Sequence, residues 1–436
     1  MSFRCLLPTF RDRQLALIAA LALALAGCGG GGGSAGSAST GGSGNASGPA
    51  FELGAFQDLV SPSGATAISN AVDALAIGDL AVVRSDSAAV SGVIHPSTRF
   101  SMVDSQGKVT ASVDLGLTLA GGYAGDWVML PSAGGFALLQ ASNGSKLYQF
   151  DAQAKLIGPA AGIDLYAMPS GDKPPTITGN AAVADGNGIW VATTLAYPQA
   201  DFSNVYRLNL TKIDWNGKAL TPTAPIWTSS KPPLPSIAAS AGAVILSWSD
   251  AGSPKLAVWP QGAGLPAIKG VGSGSGAFGF RPLALNGSGK LGLFWTEESD
   301  PKQSGNLAGV AFDGSGAALI SPGGSATAWD AEVLSSTWNG RRRQLNYDLR
   351  AANGTLYVAD VVDDPNALGD TIVLADYAVS DAALATVTPR LLRSLRGPTA
   401  MPLGTSGMLR QMIFSDHALL LVSDNKHAEA AVVTRR

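Results

Sequence analysis

The chain has 436 residues, of which 29 are Lys or Arg and 32 are Asp or Glu, giving a formal net charge of −3. Charged residues make up only 14% of the chain, so it has no basic surface of the kind that nucleic-acid binding requires, and we expect no nucleic-acid partner. Cys5 and Cys28 are the two cysteines, which excludes a zinc site built from several thiolates.

The first 28 residues predict an exported protein. Arg4, Arg11 and Arg13 form a positive segment, and an unbroken apolar run follows from Leu15 to Gly27. This run is too short to span a bilayer as a helix and has the length of the apolar region of a signal peptide. An ordinary signal peptide followed by a chance cysteine remains the alternative at this point.

The end of the apolar run, Leu25-Ala26-Gly27-Cys28, resembles the signal of bacterial lipoproteins. The resemblance implies that residues 1–27 are removed and that lipid on Cys28 binds the protein to a membrane in the cell envelope. Gly29 stands where Asp would resemble an inner-membrane retention signal in a Gram-negative host. The resemblance therefore implies a lipid-anchored protein of the outer membrane, on its periplasmic side or at the cell surface.

Residues 28–50 predict a flexible tether after the lipidated cysteine. The segment is almost entirely Gly, Ser and Ala, and it has no apolar pattern that could pack. A chain of this length has a root-mean-square reach of roughly 25 Å. A phosphate-binding loop is excluded, because no strand precedes the glycines and no Gly-Lys-Ser/Thr follows them.

Residues 51–436 predict an all-β domain in which one four-stranded unit recurs seven times. The second strand of each unit is almost wholly apolar, which favours burial on both faces by neighbouring units. The predicted second strands are Leu80–Arg84, Phe136–Gln140, Ile189–Thr193, Ala243–Trp248, Leu291–Trp295, Leu356–Val362 and Ala418–Val422.

A tight turn joins the third and fourth strands of several units. Hairpin turns of this kind use Gly, Asn or Asp because the chain must adopt positive φ there. The turns are Asp104-Ser105-Gln106-Gly107, Asp151-Ala152-Gln153-Ala154, Asp214-Trp215-Asn216-Gly217 and Asp313-Gly314-Ser315-Gly316. The spacing of about 55 residues per unit is near that of kelch repeats.

The unit count and the ends of the domain predict a β-propeller of seven four-stranded blades, with six and eight blades as alternatives. The last unit stops after its third strand, at Ala430–Arg435, whereas Phe51–Leu59 precedes the first unit. We expect Phe51–Leu59 to supply the missing strand and close the ring. An open repeat array or two sandwiches remain alternatives, and Ala67–Leu75 is ambiguous between helix and strand.

The blade pattern also resembles the secreted bacterial propeller repeats, in which an apolar strand with Trp and then an acid precedes a strand ending in Asp-x-x-Gly. The stretches that carry the resemblance best are Ile245–Asp250 and Leu293–Glu297. The resemblance covers most of residues 80–436 and implies an architecture, with no activity attached.

Acidic residues follow the second strand in five units, and they are Asp86, Asp250, Glu297 with Glu298, Asp363 with Asp364, and Asp424. Such acids either cap the following loop or form an acidic rim around one face. The loops after the second strands are long, and binding residues concentrate on long loops of a rigid scaffold. We therefore predict a binding site on this face, with the candidate residues Glu297, Glu298, Asp363, Asp364 and Trp338.

No catalytic constellation is visible, and we expect no cofactor and no bound metal. His95, His417 and His427 are scattered, without the spacing of a zinc site. The run Arg341–Arg343 with Arg350 is interpreted as a solvated basic loop, with a phosphate site as the alternative. Trp190, Trp248 and Trp295 lie in second strands and are predicted to belong to the core.

Together these patterns favour a binding or scaffolding module on an envelope lipoprotein, with a protein or glycan of the envelope as partner. The alternative is a propeller enzyme of the envelope, such as a glycan hydrolase or lyase or a calcium-dependent lactonase. The lack of a paired acid and base favours the first interpretation.

Overall fold

The structure is a computed structural model, and its β-sheet unit lies within Pro49–Arg436. It describes residues 51–62, 68, 71–86, 97–118, 127–140, 146–159, 162–164, 175–186, 188–201, 203–240, 243–250, 253–260, 268–270, 278–285, 291–297, 306–312, 332–333, 343–352, 355–363, 370–378, 392–395, 408–423 and 428–435. Cys28 and the tether, together with His95, Glu298, Trp338, Arg341, Asp364, Asp424 and His427, lie outside the described residues.

The fold is an all-β propeller of seven blades, as predicted, and each blade is an antiparallel sheet. The first strand of each blade lies at the axis. These inner strands are β3 (Ala71–Ile77), β7 (Trp127–Ser132), β12 (Thr176–Asp185), β16 (Ser236–Ser240), β20 (Phe278–Ala284), β24 (Arg343–Ala352) and β28 (Met408–Ile413). Each inner strand contacts the inner strand of the next blade, and β28 contacts β3, so the inner ring is complete.

The second strands form the most buried layer, and all seven contain the strands predicted from the sequence. They are β4 (Leu80–Asp86), β8 (Gly135–Gln140), β13 (Gly188–Pro198), β17 (Ala243–Asp250), β21 (Leu291–Glu297), β25 (Thr355–Asp363) and β29 (His417–Ser423). Trp190, Trp248 and Trp295 are buried in these strands, as expected.

The third and fourth strands complete the blades toward the rim. The third strands are β5 (Ser97–Asp104), β9 (Lys146–Asp151), β14 (Asn204–Asp214), β18 (Ser253–Pro260), β22 (Asn306–Phe312), β26 (Asp370–Ala378) and β30 (Ala428–Arg435). The fourth strands of the first six blades are β6 (Val109–Thr118), β10 (Leu156–Ile157), β15 (Ala224–Ser229), β19 (Ile268–Gly270), β23 (Glu332–Val333) and β27 (Leu392–Leu395). A further short strand, β11 (Ile163–Asp164), pairs with β9.

Alternate side chains of a second strand pack against opposite neighbouring blades, which explains why these strands are apolar throughout. Val82 packs toward the second blade, in a cluster with Phe100 of its own blade and Phe136 and Phe150 of the second. Val83 packs toward the seventh blade. The ring centroids of Phe100 and Phe136 lie 4.8 Å apart in an edge-to-face arrangement. Sheets covered on both faces in this way lose the alternation of polar and apolar residues that a half-exposed sheet shows.

The predicted turns between third and fourth strands share one geometry in three blades. In the first blade Asp104 Oδ1 accepts hydrogen bonds from the backbone N–H of Gln106 and of Lys108, at 3.0 and 2.9 Å. Asp151 and Asp214 cap their turns in the same way. The side chain thus satisfies backbone donors that the tight turn leaves unpaired.

The fourth position of these turns has positive φ, at +80° for Gly107, +79° for Gly217 and +58° for Ala154. Ala154 differs from the other two because it is not a glycine. A residue with a Cβ is unfavourable in the left-handed region. The fourth predicted turn, at residues 313–316, lies outside the described residues.

The ring is closed by the N-terminal segment of the domain, as predicted. Two short strands, β1 (Phe51–Leu53) and β2 (Gln57–Asp58), both pair antiparallel with β30. Leu59 follows them, is almost fully buried and joins the apolar core between the first and seventh blades. The seventh blade therefore combines strands from the two ends of the domain.

The ambiguous stretch Ala67–Leu75 is resolved as strand from Ala71 onward, within β3. Within the described ranges, no helix is long and apolar enough to cross a bilayer.

Ring closure yields a first prediction. Deleting Phe51–Leu59 exposes the outer edge of β30 and removes the buried Leu59. Loss of a buried Leu side chain alone costs about 2–5 kcal/mol in the free energy of unfolding. We expect a clear fall in the melting temperature, measured by circular dichroism. A matched control deletes nine residues of the tether, 33–41. If both deletions leave the melting temperature unchanged, the N-terminal segment does not close the ring.

Candidate functional site

Charged side chains lie on the inner strands of four consecutive blades. Five residues form what we call the axial cluster: Asp73 on β3, Arg281 on β20, Asp348 and Arg350 on β24, and Arg410 on β28. These strands belong to the fifth, sixth, seventh and first blades, so the closed ring brings together residues that are far apart in sequence. The cluster contains three arginines and two carboxylates and carries a formal charge of +1.

Asp348 is the buried centre of the axial cluster. Its Oδ2 atom accepts a hydrogen bond from Arg350 Nε at 3.0 Å and another from the backbone N–H of Gln411 at 2.7 Å. The Gln411 side chain also donates to the backbone carbonyl of Asp348, at 3.1 Å. The carboxylate thus joins the sixth blade to the seventh and is satisfied by donors from both, as a buried charge requires.

Arg281 approaches the same carboxylate from the fifth blade. Its Nη1 atom lies 4.0 Å from Asp348 Oδ1 and donates a hydrogen bond to the backbone carbonyl of Tyr347 at 2.7 Å. The guanidinium carbon lies 4.3 Å from the centroid of the Tyr347 ring, in cation–π geometry. Arg281 and Arg350 therefore flank one carboxylate from two blades.

Arg410 extends the axial cluster to the first blade. Its Nε atom lies 3.7 Å from Asp73 Oδ1, and its Nη1 atom donates to the backbone carbonyl of Leu409 at 2.9 Å. Asp73 also accepts a hydrogen bond from the backbone N–H of Ala74, at 2.9 Å. This second carboxylate is thus engaged by the cluster and by its own strand.

Electrostatics link the two halves of the axial cluster. The pKa of Arg350 lies above its ordinary value because of the nearby charge of Asp348, with a smaller contribution from the charge of Asp73, while burial acts in the opposite direction. The arginine side chains are exposed by 40% at Arg281, 35% at Arg350 and 26% at Arg410, whereas Asp348 is exposed by only 5%. The positive groups are therefore accessible to a ligand and the central carboxylate is not.

The residues predicted from the sequence lie elsewhere. Glu297 and Asp363 are the last residues of β21 and β25, in the adjacent fifth and sixth blades. Glu298, Asp364 and Trp338 lie outside the described residues. Asp250, an acid of the same type, accepts a hydrogen bond from Ser229 Oγ at 2.5 Å and so ties the third blade to the fourth.

Of the run Arg341–Arg343 with Arg350, the structure describes Arg343 and Arg350, and for these two residues the interpretation as a solvated loop is wrong. Arg343 begins β24 and Arg350 lies near the end of that strand, bonded to a buried carboxylate. The missed signal is a charged residue inside an otherwise apolar first strand, which recurs as Asp73, Arg281 and Arg410. This signal is visible only when the first strands of different units are compared with one another.

Among the residues that the structure describes, no group of three or more His, Cys, Asp or Glu side chains is close enough to hold a metal ion.

No protein-family model matches the sequence, and no curated protein matches it either. Among solved structures, the chain is similar to acylaminoacyl peptidase from Pyrococcus horikoshii, with a TM-score of 0.50 and 9% identity. That match covers 84% of this chain and 52% of the peptidase, so the chain spans about half the length of the peptidase chain.

Two other solved structures are less similar by TM-score. The β-propeller domain of the Trilobed protease from Pyrococcus furiosus gives a TM-score of 0.45 and 8% identity, covering 84% of this chain and 95% of that domain. Cobalt-substituted Synechocystis ACO gives a TM-score of 0.44 and 11% identity. That match covers 89% of this chain and 94% of the ACO chain. At these identities the likeness shows the fold alone.

The comparisons contradict the functional interpretation drawn from the sequence. A binding or scaffolding module, with a glycan or lactone enzyme as the alternative, was expected, whereas the solved structure that matches with a TM-score of 0.50 is a peptidase. The expectation is wrong because it inferred a binding role from the absence of a catalytic motif. A propeller that serves a separate catalytic unit has no such motif either, since blade repeats specify architecture and not activity.

The central role of Asp348 yields a second prediction. Asp348→Asn removes the negative charge between Arg281 and Arg350 and weakens the bonds that join the sixth and seventh blades. We expect the free energy of unfolding to fall by about 1–3 kcal/mol, the cost of disrupting buried hydrogen bonds to a charged group. Urea denaturation monitored by tryptophan fluorescence measures the change.

Asp114→Asn is the matched control. Asp114 pairs with Arg99 at 2.8 Å on outer strands of the first blade, and its side chain is 54% exposed. An exposed pair of this kind contributes at most about 1 kcal/mol. Equal destabilisation by the two substitutions would contradict the central role of Asp348.

Proposed function

We propose that this chain is the propeller component of a peptidase and that it receives peptide at the axial cluster. Hydrolysis itself is assigned to a catalytic unit other than this propeller. The proposal is supported by the likeness to acylaminoacyl peptidase, which covers 84% of this chain but only 52% of the peptidase. The remaining part of that peptidase has no counterpart in the match.

The observation that carries the proposal is the set of three partly exposed arginines on the inner ring. A peptide offers carbonyl oxygens along its backbone and carboxylates at its end or on its side chains, and guanidinium groups donate hydrogen bonds to both. Because the arginines come from three different blades, a peptide at the axis contacts several blades at once. The rigid ring holds these donors in place before the peptide arrives, which lowers the entropic cost of binding.

The proposal places this propeller on the outer membrane, held by lipid on Cys28. The sequence Leu25-Ala26-Gly27-Cys28 supports the anchor, and Gly29 supports the outer membrane if the host is Gram-negative. Several acyl chains bind firmly, since each buried methylene contributes about 0.8 kcal/mol. A peptidase component on this tether works on peptides of the cell envelope.

Peptide binding is the third prediction. The detergent-solubilised full chain should bind dye-labelled, N-acetylated peptides of about eight residues, with a dissociation constant below roughly 1 mM in fluorescence anisotropy. The double substitution Arg281→Gln with Arg350→Gln should weaken this binding by tenfold or more, since it removes two cationic donors. Arg99→Gln, which removes an arginine from an outer strand, serves as the control and should leave the affinity unchanged.

Failure of the wild-type chain to bind any peptide of a mixed-sequence pool would contradict the proposed function. A peptidase assay of the chain purified from the envelope of its host distinguishes a peptidase component from a passive peptide binder. We expect hydrolysis of N-acetylated peptides to co-purify with the wild-type chain. Intact peptides after prolonged incubation would contradict the assignment to a peptidase.

The lipid anchor yields the fourth prediction. Cys28→Ser removes the thiol that accepts the lipid, so we expect either a soluble exported protein or an uncleaved precursor. Fractionation of cells and immunoblotting against the propeller measure both outcomes. Cys5→Ser is the control and should leave the protein in the membrane fraction. A Cys28→Ser protein of mature length that stays with membranes would contradict the anchor.

A further inference from the structure

The axial cluster has an unbalanced charge that the structure makes available to a ligand. Its two carboxylates are already engaged, Asp348 by Arg350 and Gln411 and Asp73 by Arg410 and the backbone of Ala74. Three guanidinium groups therefore face two carboxylates, and one positive charge is left over. The surplus matches a ligand group that carries a single negative charge.

The donors that remain on Arg350 have a defined arrangement. Asp348 engages the Nε atom, which leaves the edge formed by Nη1 and Nη2. No other acceptor for Arg350 is found among the residues that the structure describes, and 35% of the side chain is exposed. Two parallel N–H groups on one edge of a guanidinium fit the two oxygens of a carboxylate.

Arg281 has donors left in a similar way. Its Nη1 atom bonds the carbonyl of Tyr347, and the ring of Tyr347 lies against its guanidinium plane. These two contacts hold the plane in a fixed orientation while 40% of the side chain stays exposed. Arg281 and Arg350 flank the same buried carboxylate, so the two guanidinium groups lie close to each other.

On these contacts we propose that Arg281, Arg350 and Arg410 bind a carboxylate of the peptide, and that Asp348 and Asp73 are positioning residues for the three arginines. This inference rests on the proposed function, because it names the group of the peptide that the axial cluster recognises. The carboxylate is either the free C-terminus or an acidic side chain, since the two present the same pair of oxygens. A neutral peptide offers only carbonyl oxygens, which leaves the surplus charge without a partner.

The test uses three labelled peptides that share one acetylated sequence and differ only in their carboxylates. The first has a free C-terminus, the second is amidated, and the third is amidated with one internal Glu. Fluorescence anisotropy with the detergent-solubilised full chain gives their affinities. We expect amidation to weaken binding by about tenfold or more, as the loss of a charged hydrogen-bonding pair does.

The third peptide identifies the source of the carboxylate. Affinity restored by the internal Glu shows that the axial cluster accepts a side-chain carboxylate, and affinity that stays low shows that it requires the C-terminus. Arg350→Lys keeps the charge but loses the paired donors, and should remove most of the preference for acid over amide. Arg281→Gln is a second variant that leaves the bond between Arg350 and Asp348 intact and should also reduce the preference.

Equal affinity for the acid and amide peptides would overturn the inference and leave peptide binding standing. Absence of binding for all three peptides would instead overturn the proposed function. If both Arg350→Lys and Arg281→Gln keep the preference for the acid peptide over the amide peptide, the carboxylate binds outside the axial cluster. That result also overturns the inference. Arg99→Gln is the control for loss of one positive charge and should keep the full preference.

Discussion

The pairing of the two ends of the domain in one blade is the constraint on which this structure depends. The N-terminal strands β1 and β2 pair with β30 and supply the outer strands of the seventh blade. Without them the edge of β30 is unpaired, and unpaired edge groups favour association with other chains. Closure also brings β28 against β3, so the inner strands form a complete ring. Only in the closed ring do Arg410 of the seventh blade and Asp73 of the first blade meet.

The closed ring in turn creates an electrostatic requirement at the axis. Asp348 is buried, and a buried carboxylate is stable only when donors and positive charge surround it. Arg350, Arg281 and the backbone of Gln411 meet this requirement from three blades. The same groups that stabilise the carboxylate present exposed guanidinium edges, so the structural and the proposed functional roles of the axial cluster rest on one set of contacts.

Much of the fold was predictable because it depends on local patterns. The apolar second strands and the Asp-capped turns, such as the one at Asp104, are each contained in a few consecutive residues. The axial cluster depends on contacts between distant residues, since Gln411 and Asp348 are 63 positions apart and Arg281 and Tyr347 are 66 apart. No pattern of consecutive residues specifies contacts between residues so far apart, and the general preference of binding residues for long loops points away from the inner strands.

Backbone amide hydrogen exchange of the full chain, with and without an acetylated peptide that has a free C-terminus, tests the central claim that peptide is held at the axis. Exchange slows where binding stabilises local structure. The account predicts slower exchange in β20, β24 and β28 when the peptide is bound. Slower exchange confined to the segments that follow Glu297 and Asp363, with the inner strands unchanged, would contradict it.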